Sequence, residues 1–182
     1  MTKPGLLLHT CCAPCSGFLA QKFILQYDVS IFYDNSNIYP EEEYNHRQAE
    51  AKNFFKSQSI NFICPKRDHQ KWLEGMLGLE KEPERGKRCK LCYYGRLKNT
   101  AEYASANGFE FFATTLSISP HKDVIAINNL GRALAKKYKI KFLAGDWKKQ
   151  DGFKSAMEFS HQHDFYHQNY CGCEFSVRLP KA

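Results

Sequence analysis

The chain has no apolar run long enough to cross a membrane or to form the core of a secretion signal. The stretch nearest its start, GLLL at 5–8, has four residues, against about 20 for a membrane span and about seven or more for a signal core. A cytosolic protein with no membrane partner is the expectation. GxxxxGK[ST] and SGGxDS loops are also missing, so an ATP-driven mechanism has no support. Repeats, low-complexity segments and composition breaks are absent, and 1–182 reads as one domain.

Cysteine and positive charge are plentiful. Eight cysteines in a reducing compartment favour metal or redox chemistry over a disulfide framework. An apolar fraction of 43% is enough for a real core, and a formal net charge of +7 favours an anionic partner, most commonly nucleic acid.

Apolar runs and helical periods alternate along the chain. GLLLH (5–9), VSIFYDN (29–35), NFIC (61–64), FEFFATTL (109–116) and IKFLAGD (140–146) read as strands. Helices are predicted over 16–27, from Pro40 to about 57, from an Asp68 cap to 77, over 89–107, from a Ser119 cap with Pro120 at the first position to 137, and over 152–161. The charged stretch 78–89 reads as a surface loop. Alternation at this spacing predicts an α/β fold, a parallel sheet with helices on both faces. Ligands in such folds sit beyond the carboxyl ends of the strands. Cys11, Cys12 and Cys15 fall there after the first strand, Asp34 after the second, Cys64 after the third, 117–123 after the fourth and Asp146 after the fifth.

The cysteines form three groups, CCAPC (11–15), CKLC (89–92) and CGC (171–173), with Cys64 apart. A CxxC points two sulfurs the same way and grips one metal or one cluster edge. Together the groups hold seven thiols, more than the four that one zinc or one iron–sulfur cluster takes. The surplus implies a second metal, a redox dithiol, or both. Zinc and iron–sulfur stay equally open on the residues alone. CxC closes a small, strained ring, which suits a labile redox disulfide, and it also suits metal ligation. Cys64, before a proline at a strand end, reads as a packed small hydrophobe.

Basic and aromatic residues interleave in KRCKLCYYGRLK (87–98). Lys87, Arg88, Lys90, Arg96 and Lys98 are candidates for phosphate contacts, and Tyr93 and Tyr94 for stacking on a base. SPHKD (119–123) opens a helix whose free amides, with His121 and Lys122, would suit a phosphate. EEEYNHRQAE (41–50) reads as a solvent-facing helix with paired charges.

CCAPC, RCKLCYYGRLKNTAEYA, TTLSISPHK, GDWKK and NYCGCEFS together resemble the cobalamin-independent epoxyqueuosine reductase family, QueH, from Leu6 to Ser176. The resemblance implies a Rossmann-like sheet of the HUP/PP-loop kind with a cysteine-rich metal site at its carboxyl edge. It implies a [4Fe-4S] cluster and an additional mononuclear iron. The substrate would be transfer RNA carrying epoxyqueuosine, whose epoxide becomes an alkene in the last step of queuosine synthesis, with electrons from an unidentified donor. On that basis Cys11, Cys12, Cys89 and Cys92 are expected to hold the cluster. Cys15, with Cys171 or Cys173, is expected to serve the second iron or a dithiol. Asp34, Asp146 and Cys15 are the candidates for proton donation or iron ligation. His167 stands in YHQNY where the family usually has arginine. Two other readings compete, a non-catalytic zinc protein that binds RNA and a sulfur-transfer enzyme acting on transfer RNA.

Overall fold

Strand β1 (Gly5–His9) sends Leu6 and Leu8 to one face of the sheet and Leu7 to the other, and all three are fully buried. A strand buried on both faces is the mark of a parallel sheet covered by helices on each side. The computed structural model, which describes residues 2–177, has this architecture; the ends of the predicted domain, residues 1 and 178–182, lie outside the described residues. The elements that follow β1 are α1 (Ala13–Phe23), β2 (Asp28–Phe32), α2 (Glu41–Ser57), β3 (Asn61–Ile63), α3 (His69–Glu74), α4 (Lys87–Ala106), β4 (Phe111–Thr114), α5 (Val124–Tyr138), β5 (Lys141–Phe142) and α6 (Gly152–Gln162). The five strands pair in parallel in the order β3-β2-β1-β4-β5.

Helices α1, α2 and α6 cover the face that carries Leu6, Leu8 and Ile31. Helices α4 and α5 cover the face that carries Leu7 and Phe112. Gly17 sets how closely α1 and α6 pack, since a Cβ there would lie 2.6 Å from the Phe159 ring. Among the described residues no helix is long and apolar enough to cross a membrane.

Several boundaries differ from the sequence reading for local reasons. Helix α1 begins at Ala13, with Cys12 as its extended N-cap, so Cys15 stands in the first turn. Strand β4 stops at Thr114 because its hydroxyl accepts from the Leu116 amide at 3.1 Å and turns the chain into a 3-10 turn over Thr115–Ile118. Asp123, rather than Ser119, caps α5 by accepting from the Ala126 amide at 3.0 Å, so the expected phosphate-holding helix start at 119–120 is a turn. Strand β5 pairs only at Lys141 and Phe142, after which the Asn128 amide side chain exchanges hydrogen bonds with the Gly145 backbone. Helix α3 carries its expected Asp68 cap, accepting from the Lys71 amide at 3.0 Å.

Candidate functional site

The strand order reverses direction between β1 and β4. In an open parallel sheet that switch point leaves a crevice beyond the carboxyl ends of the two strands. A cavity of about 420 Å³ lies there, and Cys11, Cys12, Cys15, Cys89 and Cys171 all line it. They arrive from three segments: the β1–α1 turn, the start of α4 and the chain after α6. Cys92 and Cys173 are buried, and each interacts electrostatically with Cys171. All eight cysteines are free thiols, so Cys171 and Cys173 form no disulfide here. Among the described residues, no three His, Cys, Asp or Glu side chains form a ready-made metal shell.

Two cations stand among the thiols. Arg96 is buried on α4, donates from Nε to His9 Nε2 at 3.2 Å and donates from Nη2 to Asn35 Oδ1. Burial, then the Arg96 charge, holds His9 well below the usual histidine range. The ring sits between Thr114 Oγ1, 2.9 Å from Nδ1, and two groups 3.2 Å from Nε2, the Arg96 guanidinium and the Asp34 carbonyl. Lys122 lines the cavity and directs Nζ toward Cys171 Sγ at 3.7 Å. Burial opposes the charge on Lys122, but Cys171 and Cys11 outweigh it and hold the ammonium above its ordinary range.

The thiols divide under these fields. The hydrogen bond from Cys173 lowers Cys171 well below the usual thiol range; burial opposes this, and Lys122 and Arg96 reinforce it. The same hydrogen bond, then burial, raises Cys173. Cys11 is raised by its hydrogen bond to Cys12, at 3.8 Å between sulfurs, and by burial. Its bond to Cys11 lowers Cys12, but the bond to Cys15 and burial outweigh that and push it up to about 12. Burial raises both Cys89 and Cys92. The fields therefore favour the thiolate at Cys171 and the protonated thiol at Cys11, Cys12, Cys89, Cys92 and Cys173.

The chain after α6 straps the site. Gln168 donates from Nε2 to Cys12 Sγ at 3.2 Å, and the Gly172 carbonyl accepts from the Tyr39 amide at 2.8 Å. Gly172 has φ +113, and a Cβ there would lie 3.0 Å from Ile38 and 3.1 Å from Arg47 Nη1. Only glycine passes between these neighbours while turning Cys171 and Cys173 to the same site. His167 lines the cavity, bonds Ser160 Oγ at 2.9 Å and stacks on His161. His163, four residues earlier, donates to the Phe159 carbonyl instead, so the pair does not form a two-histidine grip.

Several expected residues have other placements. Arg88 is buried and gives Nη1 to the carbonyls of Leu79, Glu80 and Glu82, while Arg96 is committed to His9 and Asn35. Neither presents a guanidinium to an outside phosphate. Lys87 and Lys90 are exposed, and Lys98 pairs with Glu102 at 3.8 Å. Tyr94 is exposed, whereas Tyr93 is buried and lines the cavity. Cys64 is not packed: it is exposed and accepts from Gln48 Nε2 at 2.8 Å.

The two aspartates lie outside the cavity lining. Asp34 is buried behind it and accepts from Asn99 Nδ2 at 2.7 Å; burial raises its carboxyl. Asp146 lies between Lys148 and Lys149, at 3.7 and 3.9 Å, beside Trp147, which packs on Phe23 at the far end of α1 from Cys12. The sequence reading passed over Arg47 and Glu84, which line the cavity. Arg47, placed on a supposedly solvent-facing helix, is 1% exposed and donates to Glu43 at 2.6 Å.

A family model described as Epoxyqueuosine reductase QueH matches residues 6–179. Proteins of that name are similar along nearly all of the chain. The one from Streptococcus pyogenes serotype M1 is 36% identical over 184 residues, covering 97% of this chain and 72% of the relative. Those from Haemophilus influenzae and Acinetobacter baylyi are each 41% identical over 175 residues, covering 95% of this chain and 71% and 80% of the relatives. A solved structure titled as a predicted subunit of tRNA methyltransferase from Methanocaldococcus jannaschii superposes with TM-score 0.55 at 12% identity. The match covers 84% of this chain and 76% of that one, a likeness of fold alone.

Proposed function

The chain belongs to the epoxyqueuosine reductase QueH family and is an oxidoreductase, and from that premise we propose that it reduces the epoxide of epoxyqueuosine in transfer RNA to an alkene with the help of iron and an iron–sulfur cluster. The reaction consumes two electrons and two protons and releases the epoxide oxygen as water. The observation that carries this reading is the convergence of five cysteines from three segments on one cavity at the switch point of the sheet.

The donor set fits such a group. Sulfur is the preferred ligand of iron–sulfur clusters, and Arg96 and Lys122 offset the negative charge that several thiolates would bring together. Cys11, Cys12, Cys89 and Cys92 would hold the cluster, and Cys15 with Cys171 or Cys173 the second iron. When bound, these centres supply the electrons and a Lewis acid for the oxygen that leaves.

The chain's own residues orient and protonate. Lys122 keeps a proton on Nζ at the cavity wall, where it stabilises negative charge developing on the departing oxygen. Asp34, raised by burial and set behind the cavity wall, is the candidate acid that the iron centres leave free. Asp146 belongs to the turn that carries Trp147 rather than to the reacting centre. The work would be done in the cytoplasm.

Metal analysis tests the cofactor assignment. Protein purified without oxygen is expected to hold more iron than one four-iron cluster, with labile sulfide. One zinc per chain and no sulfide would overturn it in favour of the zinc-protein reading.

Lys87, Lys90 and Lys98, with the exposed Tyr94, form the face of α4 proposed to meet the transfer RNA backbone. The double variant Lys87→Glu with Lys90→Glu is expected to weaken binding and to flatten the slope of log affinity against log salt by about 0.7 to 0.9 for each phosphate that is no longer neutralised. An unchanged slope across a salt series would make the face merely solvated.

A further inference from the structure

The indole N–H of Trp72, on α3, is buried and completes no hydrogen bond within the chain. It still acts on one sulfur. Burial raises the Cys92 thiol, and the Trp72 N–H, directed at that thiol, pulls the other way. The donor therefore stands beside Cys92 just short of a full hydrogen bond. A neutral thiol is a weak acceptor, and an ionised sulfur is a stronger one. The N–H is unmet while Cys92 keeps its proton and is met once that sulfur carries charge.

The ring is braced in this position. Trp72 stacks on His69, with 5.8 Å between centroids and 13° between planes, and on Phe175, at 6.1 Å and 27°. His69 is itself tied by donation from Nδ1 to the Ser36 carbonyl at 2.7 Å. Phe175 lies two residues after Cys173 and under the Arg88 guanidinium at 5.2 Å, and Arg88 stands one turn before Cys92 on α4. Turning the N–H out to water would break both stacks, although an unmet buried donor is costly.

We propose that Trp72 is a positioning residue for the metal centre, whose indole N–H donates to the Cys92 sulfur when that sulfur is a ligand and so raises the centre's reduction potential. This rests on the assignment of Cys92 to the cluster. Reduction adds negative charge to the ligand sulfurs, so a fixed donor favours the reduced form, and hydrogen bonds to sulfur are among the determinants of cluster potential.

The test is a redox titration of anaerobically purified, iron-loaded protein, followed by its visible absorbance. Trp72→Phe keeps a ring for the stacks and removes the N–H. It should retain iron and sulfide and lower the reduction equilibrium constant by about three- to tenfold, the effect of one hydrogen bond; tenfold is about 59 mV for one electron. Trp147→Phe should keep the parent's midpoint, since Trp147 packs on Phe23 away from the cysteines. It also leaves Trp72 as the single tryptophan. Ultraviolet resonance Raman of that variant should show the indole N–H free in metal-free protein and hydrogen-bonded after loading, a reading that stands even where Trp72→Phe fails to load. A loaded Trp72→Phe with the parent's midpoint, or an indole band unchanged on loading, would overturn the proposal alone and leave Trp72 a packing residue. A parent that takes up no iron–sulfur cluster would overturn it together with the assignment of the centre.

Discussion

Cys89→Ser, purified without oxygen, is expected to lose most of its iron and labile sulfide, and its turnover with them, whereas Cys64→Ser keeps both. Cys89 is half-buried in the first turn of α4, and its sulfur faces the same cavity as Cys11, Cys12, Cys15 and Cys171. Burial raises its thiol, so a free Cys89 holds its proton and gives it up to a metal. A serine oxygen is a harder, more basic donor and a poor replacement for thiolate on iron. Cys64 is exposed, bonded by Gln48 and absent from the cavity wall, so its loss removes nothing the site uses. Iron and sulfide per chain, with the visible absorbance of the protein, read the difference. Equal losses in the two variants would contradict the placement of the centre.

Lys122→Met is expected to lower kcat about a hundredfold while the protein stays folded and binds transfer RNA as before. The ammonium is half-buried at the cavity wall, 3.7 Å from Cys171 Sγ, and feels Cys11 as well. Removing a fixed positive group from the place where negative charge develops costs about a hundred- to a thousandfold in comparable sites. Methionine keeps the length and apolar stem of the side chain, so packing changes little. Single-turnover kinetics with prereduced protein isolates the step. A rate equal to the parent's would reduce Lys122 to a partner of the Cys171 thiolate.

The topology was legible because β1, β2 and β4 are apolar enough to be buried on both faces, and because Gly, Pro and Asp punctuate the helices between them. The place of CCAPC followed once β1 was set in a parallel sheet, whereas CKLC on α4 and CGC after α6 follow no strand, and only the family resemblance put them in the same site. What stayed hidden depends on partners distant in sequence. Arg88 and Arg96 look like surface cations in an amphipathic helix, but the carbonyls of 79–82 and the side chains of His9 and Asn35 draw them inside. Arg47 was concealed in the same way, since its glutamate four residues earlier suggests an exposed pair. Asp146 follows a strand that pairs at only two residues, so the chain bends away before the aspartate reaches the cavity. The start of α1 lacks a capping side chain, because Cys12 stands at the N-cap with no side-chain bond, and only Pro14 in the first turn marks it.

The most direct measurement is the mass of the modified nucleoside recovered from transfer RNA carrying epoxyqueuosine after incubation with the anaerobically purified, iron-loaded protein and a chemical reductant. The account predicts a product lighter than the substrate by one oxygen atom, formed without ATP and not formed by Cys89→Ser. A nucleoside of unchanged mass, or one that has gained sulfur, would contradict it.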